Sequence, residues 1–347
     1  EPGTIIKGSA STGANASALI VAQGGTIIAD GTAEQPIIFT AEADDIALGE
    51  TAGTNLGIDD RQLWGGVLVL GNAPGSFSGD AAAIQVEGIP ADEPGLYGGG
   101  NPNDSSGILN YVSIRHGGAV IGSDNEINGL TLGGVGKGTT VSNIEVVANL
   151  DDGVEWFGGT VDSSNILVWG VGDDGLDLDE AYSGTVSNAV TIQENVSDHA
   201  FEIDGPAGST QDSFTIENVT MFGDSSSQDG ANTGSREYVD LRDGARCTLK
   251  NIYAFGFLPG SDVELSADED ATNYNNDAIV FENWEVVYPD GDDNSVMWKN
   301  QAENVQTTIS SDANNWTKDI QEGSQSDGVG ADLSVFDWTY ANQQGAY

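Results

Sequence analysis

Carboxylates set at regular intervals are the residues of this sequence best placed to do chemistry. Asp151 and Asp152 in "NLDDG", Asp173 and Asp174 in "GDDG", and His199 in "HAFEID" stand one repeat apart. Each leads into a short alternating run, in which Val154 and Trp156, Leu176 and Leu178, Phe201 and Ile203, and Val239 and Leu241 take inward positions. The residues between them then face out in columns. One column reads Thr131, Glu155, Asp177, Glu202, Asp240, and the next Gly133, Phe157, Asp179, Asp204, Arg242. A third, leading the strands, is Asn128, Asp152, Asp174, His199, Glu237. Adjacent rungs of a parallel sheet lie about 4.8 Å apart, and two carboxylates at that distance repel by about 3 kcal/mol at an effective dielectric of about 20. Bound cations, shared protons or splaying into water would each relieve this. Oxygen ligands at such spacing suit Ca2+, and the candidate ligands are Glu155, Asp174, Asp177, Asp179, Glu202, Asp204 and Asp240. Catalysis on a polymer would instead draw on Asp152, Asp174, Asp177, His199 and Arg242. Inverting glycoside hydrolysis, for example, needs an acid and a base carboxyl roughly 6.5–9.5 Å apart.

The elements that must position these side chains are written as a repeat. Segments beginning at Asn128, Asp152, Asp174, His199 and Glu237 each carry an alternating strand, a Gly-rich turn, a second strand, an Asn and a third apolar strand. Asn143, Asn165, Asn188, Asn218 and Asn251 are equivalent, and Asn110 and Asn283 extend the series. A basic period near 22 residues, lengthened by inserted loops, is what a coil of three short strands and three turns requires. Asn tolerates the left-handed conformation at a sharp bend, and its amide bonds to the Asn one rung away. The series predicts one buried Asn ladder inside the coil. "GTIIKG", "ALIVAQGGTIIADG" and "PIIFTA" read as opening coils, with insertions near 42–62, 87–105, 223–235 and 258–277. From about 289 the period fails, so residues 1–288 read as the helix and 289–347 as a C-terminal cap over its open end, with Trp298, Trp316, Phe336 and Trp338 as packing residues.

The Asn series and the coil grammar resemble the pectate-lyase-like family of parallel β-helices. More narrowly, "LWGGVLVLG", "EINGLTLGGVG", "DDGVEWFGGTV", "GDDGLD" and "FDWTYANQQGA" resemble a group of exported β-helix proteins of environmental bacteria, over nearly the whole chain. The resemblance implies an all-β, right-handed parallel β-helix of three sheets. It places a polysaccharide cleft on the outer face of the first sheet, walled by inserted loops. A uronan lyase of this kind needs a Lys or Arg base beside a cation; Arg242 stands on that face, with Arg236 and Arg246 nearby. The Asp, Asp-Asp, His order resembles polygalacturonase-type hydrolases, but no Arg-x-Lys motif follows.

Composition narrows the partners. There are 55 acidic residues against 10 basic ones, a formal net charge of -45, so nucleic acid and anionic membranes are excluded as partners. The same charge suits a salt-tolerant surface. No apolar run approaches the roughly 20 residues of a membrane span. Cys247, the single cysteine, lies in the strand-like "RCTLKNIYAF" and reads as a buried thiol. The chain starts at Glu1 without Met, which fits an exported, processed protein and a trimmed chain equally. His116 in "SIRHGG" reads as a turn residue, Lys137 in "GVGKGTT" lacks the helix of a phosphate loop, and "NVT" at Asn218 is kept from glycosylation by the ladder. Tyr97 and Tyr182, in loop-like settings, are the exposed aromatics for stacking on sugars. The expectation is a secreted or cell-surface bacterial module that binds polysaccharide or a surface component, or adheres, with Ca2+ on its acidic face. A polysaccharide lyase or glycoside hydrolase is the enzymatic alternative, and a purely structural surface subunit the third.

Overall fold

The computed structural model describes residues 1–86, 89, 94–122, 125–225 and 237–347. Arg236 and most of the expected 223–235 insertion lie outside the described residues, as do parts of 87–105. Two large sheets, parallel throughout, run the length of the molecule. The first holds nine strands in the order Leu19–Val21, Val67–Leu70, Leu130–Gly133, Val154–Phe157, Leu176–Asp179, His199–Asp204, Glu237–Arg242, Val263–Leu265 and Trp298–Asn300. The second is made of longer strands such as Thr140–Val147, Ser163–Trp169 and Thr185–Ile192, each bent in the middle, so that it forms two faces. At its start the two faces are separate: Ile27–Asp30 pairs with the first half of Gly107–Arg115, and Ile37–Ala41 with the second half. Three faces per coil and parallel stacking make a right-handed parallel β-helix.

The bend is what Asn supplies. Asn143, Asn165, Asn188, Asn218, Asn251 and Asn283 all have φ between 54° and 60°, the left-handed region that Asn tolerates best after Gly. Their amides form a ladder: Asn143 donates to Asn110 at 2.8 Å, Asn165 to Asn143 at 2.9 Å, Asn188 to Asn165 at 2.8 Å, Asn251 to Asn218 at 3.0 Å and Asn283 to Asn251 at 2.9 Å. Two details differ from expectation. The ladder is half-buried at a corner rather than enclosed, because Val141 and Ile144 take the inward positions on either side of the bend. In the first of these coils the corner residue is Tyr111 (φ 50°), with Asn110 one place earlier. The ladder also takes a foreign partner: Asn188 Oδ1 accepts the backbone N–H of Asp332 at 2.6 Å.

Inward positions on the first face are those that alternation assigns. Val154, Trp156, Leu176, Leu178, Phe201, Ile203, Val239 and Leu241 are all fully buried in one core. Burying each such side chain contributes about 1.5–3 kcal/mol. The Asp-Gly pairs that open these strands have a steric cause. A Cβ on Gly153 would meet Gly175 O at 2.5 Å, and one on Gly175 would meet Ala200 O at 2.6 Å, so only glycine lets adjacent rungs approach there.

The coil continues past 288. Trp298–Asn300 adds a rung to the first sheet and Thr317–Asp319 one to the second. The stretch 258–277 is not a plain insertion either, since it holds the strand Val263–Leu265 and the helix Asp268–Asn275. Trp298 and Trp316, at a ring separation of 5.5 Å, close the open end with Phe281 and Trp284. Phe336 and Trp338 do not cap that end. The last segment runs back outside the third face, where Phe336, Tyr340 and Ala341 cover Val147, Leu167, Trp169 and Val190. Those outward residues are apolar and need a cover, and the helix Tyr340–Gln344 supplies one. It is anchored by Glu145, which accepts the N–H of Ala341 at 2.8 Å and pairs with the buried Arg115.

His116 sits in a turn (φ 63°), its Nδ1 2.8 Å from Asp60 O, and Cys247 is buried in the core. Among the described residues no helix is long and apolar enough to cross a membrane.

Candidate functional site

The outer side of the first face carries the acids in register. Thr131, Glu155, Asp177, Glu202, Asp240 and Glu264 are successive strand partners, and Phe157 pairs with Asp179 and Asp204 with Arg242. The strand-leading acids are locked by backbone. Asp152 Oδ1 accepts the N–H of Asp174 at 3.0 Å, and Asp174 Oδ1 accepts the N–H of His199 at 2.7 Å. Each aspartate thus fixes the start of the strand one rung on, which is why the type recurs at that position.

Over these strands lies a cleft of about 500 Å3. Its floor is acidic, with Asp152, Glu155, Asp177 and Asp179, and its walls are apolar, with Val86, Ile89, Ile121 and Phe157. Asp152, Glu155 and Asp177 are only 7%, 7% and 8% exposed. A solvated acidic surface therefore does not describe them. One oxygen from each lies within 4.8 Å of the others. Asn128 donates its amide to Glu155, leaving Asn128 Oδ1 buried without a partner among the described residues. Asp177 Oδ1 is likewise buried and unpaired. Burial pushes all three carboxyls well above the ordinary range. For Asp152 the charge of Asp151 adds to this, for Glu155 that of Asp179, and for Asp177 that of Glu155. Around them, burial raises Asp151 and Glu180 to about 7 and Asp173 to about 6.

Further along the face the protein supplies its own cations. Arg242 Nε donates to Asp204 Oδ1 at 2.5 Å, its Nη2 pairs with Glu202, and Asp240 lies 4.0 Å from Nη1. Burial opposes its charge, but these carboxylates outweigh it and raise the guanidinium further. His199 Nδ1 is 2.9 Å from Asp174 Oδ1. Burial lowers the imidazole, while the bond to Asp174 and the charges of Asp174, Asp198 and Asp240 outweigh that and carry it to about 10. His199 is thus a cation at neutral pH, and neither it nor Arg242 is a free base. Arg246 contacts Gln211 and Asn273 instead of this face.

The candidate residues consequently separate into two groups. Asp174, Glu202, Asp204 and Asp240 are held by His199 and Arg242, and Asp179 Oδ1 accepts the N–H of Glu180. Glu155 and Asp177 are left with Asp152, which the sequence suggests for catalysis rather than for a metal. Asp151, Asp173 and Asn128 join them in the cleft, and only the "DDG" pairs hinted at that. The two tyrosines proposed as sugar platforms are packing residues. Tyr97 is 2% exposed, edge-on to Phe77 at 5.4 Å, and Tyr182 is 1% exposed with its hydroxyl on Val161 O. Left-handed backbone at Glu180 (φ 55°) and Ala181 (φ 58°) turns Tyr182 inward. The half-buried aromatic in the cleft is Phe157.

A parallel β-helix with a loop-walled acidic cleft on its first face is the class of protein these features define. The pectate-lyase like beta helix domain family matches residues 1–342, and the chain belongs to it. No curated protein and no solved structure matches the chain.

The trio fits a hard divalent cation. An ion with oxygen ligands at about 2.4 Å can touch oxygens no more than about 4.8 Å apart; the three oxygens lie within that limit, and the donor set is all oxygen. Among the described residues no donor reaches Asp177 Oδ1, and the Asp177 carboxyl is in hydrogen-bond contact with Glu155, another acid.

Proposed function

We propose that this protein is an extracellular or cell-surface glycan-binding module whose cleft works with Ca2+ held by Asp152, Glu155 and Asp177. The observation that carries this reading is the unpaired, buried Asp177 oxygen in a carboxylate trio on the cleft floor. Three buried acids with no protein cation are poorly stable by themselves and become an asset once a divalent ion neutralises them. Such an ion would leave coordination positions for sugar hydroxyl or carboxylate oxygens. Phe157 and the aliphatic walls suit the apolar face of a sugar ring. Membership in a pectate-lyase-like family supports carbohydrate as the partner. The test is titration calorimetry of pectate, alginate and neutral glycans against the protein in Ca2+ and in EDTA. Binding that needs Ca2+ and is lost in Asp177→Asn is expected; binding unchanged by EDTA would overturn the reading.

One observation favours polysaccharide cleavage as the second reading. Glu155 and Asp177, raised well above the ordinary range by burial, are carboxyls able to donate a proton at neutral pH. Reducing-end and unsaturated-product assays on the same polymers decide between the two, since turnover abolished by Glu155→Gln, with the fold intact, makes the cleft catalytic.

A further inference from the structure

The first face carries another group of acids beyond its Arg242 clamp. Glu237 leads the strand Glu237–Arg242, and Asp262 and Glu264 bracket Val263 in the next coil. Asp262 O accepts the N–H of Tyr238 at 3.0 Å, and Glu264 is the strand partner of Asp240, so backbone pairing fixes the group. One oxygen from each of Glu237, Asp262 and Glu264 lies within 4.8 Å of the others. Asp262 is 8% exposed; its carboxyl is in hydrogen-bond contact with that of Glu237, a pairing of two acids that needs a proton or a cation between them, and among the described residues no donor reaches its buried Oδ1.

Among the described residues, the neighbouring cations make their direct contacts elsewhere. Arg242 contacts Glu202, Asp204 and Asp240 and His199 bonds to Asp174; the charge of His199 is felt at Glu237, its strand partner, without a direct bond. Lys299 is the strand partner of Glu264; its ammonium donates to Ser295 O at 3.0 Å and acts on Asp262 only through its charge, which burial and the neighbouring acids outweigh. Gln301 donates to Glu264 at 3.1 Å, which orients the carboxylate without neutralising it, while the Ser266 hydroxyl donates to Asp240. Burial, with the charges of Glu237 and Glu264, raises Asp262 to about 8.

We propose that Glu237, Asp262 and Glu264 form a second divalent-cation site, of the Ca2+ class, separate from the cleft. Its donors are all oxygen, one from each residue lies within reach of a single ion, and Asp262 brings a buried oxygen that no donor among the described residues reaches. The ion ties the coil of Glu237–Arg242 to that of Val263–Leu265, next to the last rung, where the helix has fewest neighbours. Its role is structural, and it stands whether or not the cleft binds glycan.

Calorimetry of the whole chain with Ca2+ in high NaCl tests this. Wild type should bind at least two ions per chain, with Asp262→Asn losing one and Asp177→Asn losing a different one. In Asp262→Asn the Ca2+-induced rise in melting temperature should shrink while Ca2+-dependent glycan binding persists. Unchanged stoichiometry in Asp262→Asn overturns the proposal, as does a single ion abolished by Asp177→Asn. A single ion abolished by Asp262→Asn upholds it and removes the cleft ion instead. Should Asp262→Asn fail to fold, anomalous scattering from wild-type crystals grown in CaCl2 decides: a peak among the three carboxylates supports the site, and none refutes it.

Discussion

Replacing Asp177 with Asn should make the cation-free protein more stable, although it removes a group from a buried network. Asp152, Glu155 and Asp177 approach within 4.8 Å of one another. At that distance each ionised pair costs about 3 kcal/mol at an effective dielectric of about 20, so the trio holds protons instead. Burial and the neighbouring acids raise all three carboxyls, so the folded trio keeps protons that the unfolded chain releases, and stability is lost for that reason as pH rises. Asn needs no proton, so in EDTA at pH 8 the variant should gain about 2–3 kcal/mol after local relaxation. In saturating Ca2+ the order should reverse, because wild type gains by mass action and the variant does not.

The pH dependence carries the same sign. A carboxyl whose folded pKa lies above its unfolded value keeps a proton that the unfolded chain has released. Its contribution is full at low pH and is lost as pH rises through the folded pKa. Asp173 at about 6, Asp151 and Glu180 at about 7 and Glu202 at about 9 set the window. Urea unfolding in EDTA should therefore show stability falling from about pH 5 to about pH 9, less steeply in Asp177→Asn. The advantage of Ca2+ should grow over the same interval, since the ion displaces those protons. Destabilisation of the EDTA form by Asp177→Asn at pH 8, or a Ca2+ effect independent of pH, would refute the reasoning.

Asn188→Leu removes an amide bonded to Asn165 and to the backbone of Asp332, and should cost about 1–3 kcal/mol in urea unfolding. Arg242→Ala frees Glu202, Asp204 and Asp240 from their cation; thermal melts should then show a larger Ca2+-induced rise than wild type. Cys247 is fully buried with its thiol raised by that burial, so thiol-reactive dye should label it only at the rate of unfolding.

Coil, face assignment and columns were legible because a strand's period of two is strict and the repeat is in register. What escaped the sequence depended on contacts between distant segments. The covering of the third face is one case. Runs such as "IEVVA" and "ILVWG" lack polar alternation, the mark of a strand buried on both sides, but nothing local says that residues near 340 cover them. Asp262 and Glu264 escaped because "SDVELS" is too short a run to stand out among polar neighbours. Tyr182 looked exposed because the turn that buries it, left-handed at Glu180 and Ala181, leaves no glycine signal, and Tyr97 because the glycines around it read as a loop.

A charge of -45 by itself suits a salt-tolerant surface as well as a cation site. Stacking in register is what separates the two. From Glu155 through Asp177, Glu202 and Asp240 to Glu264 each outward acid has another one rung away, so this column must be neutralised or solvated. Here the middle of the column is neutralised by Arg242 and His199. On either side, Asp152, Glu155 and Asp177, then Asp262, are withdrawn from water to 7–8% exposure. Solubility gains nothing from acids that water does not reach, so a salt-tolerant surface does not explain them. Protons can hold such groups together at low pH, but above about pH 7 a divalent ion neutralises more charge per site at a smaller cost.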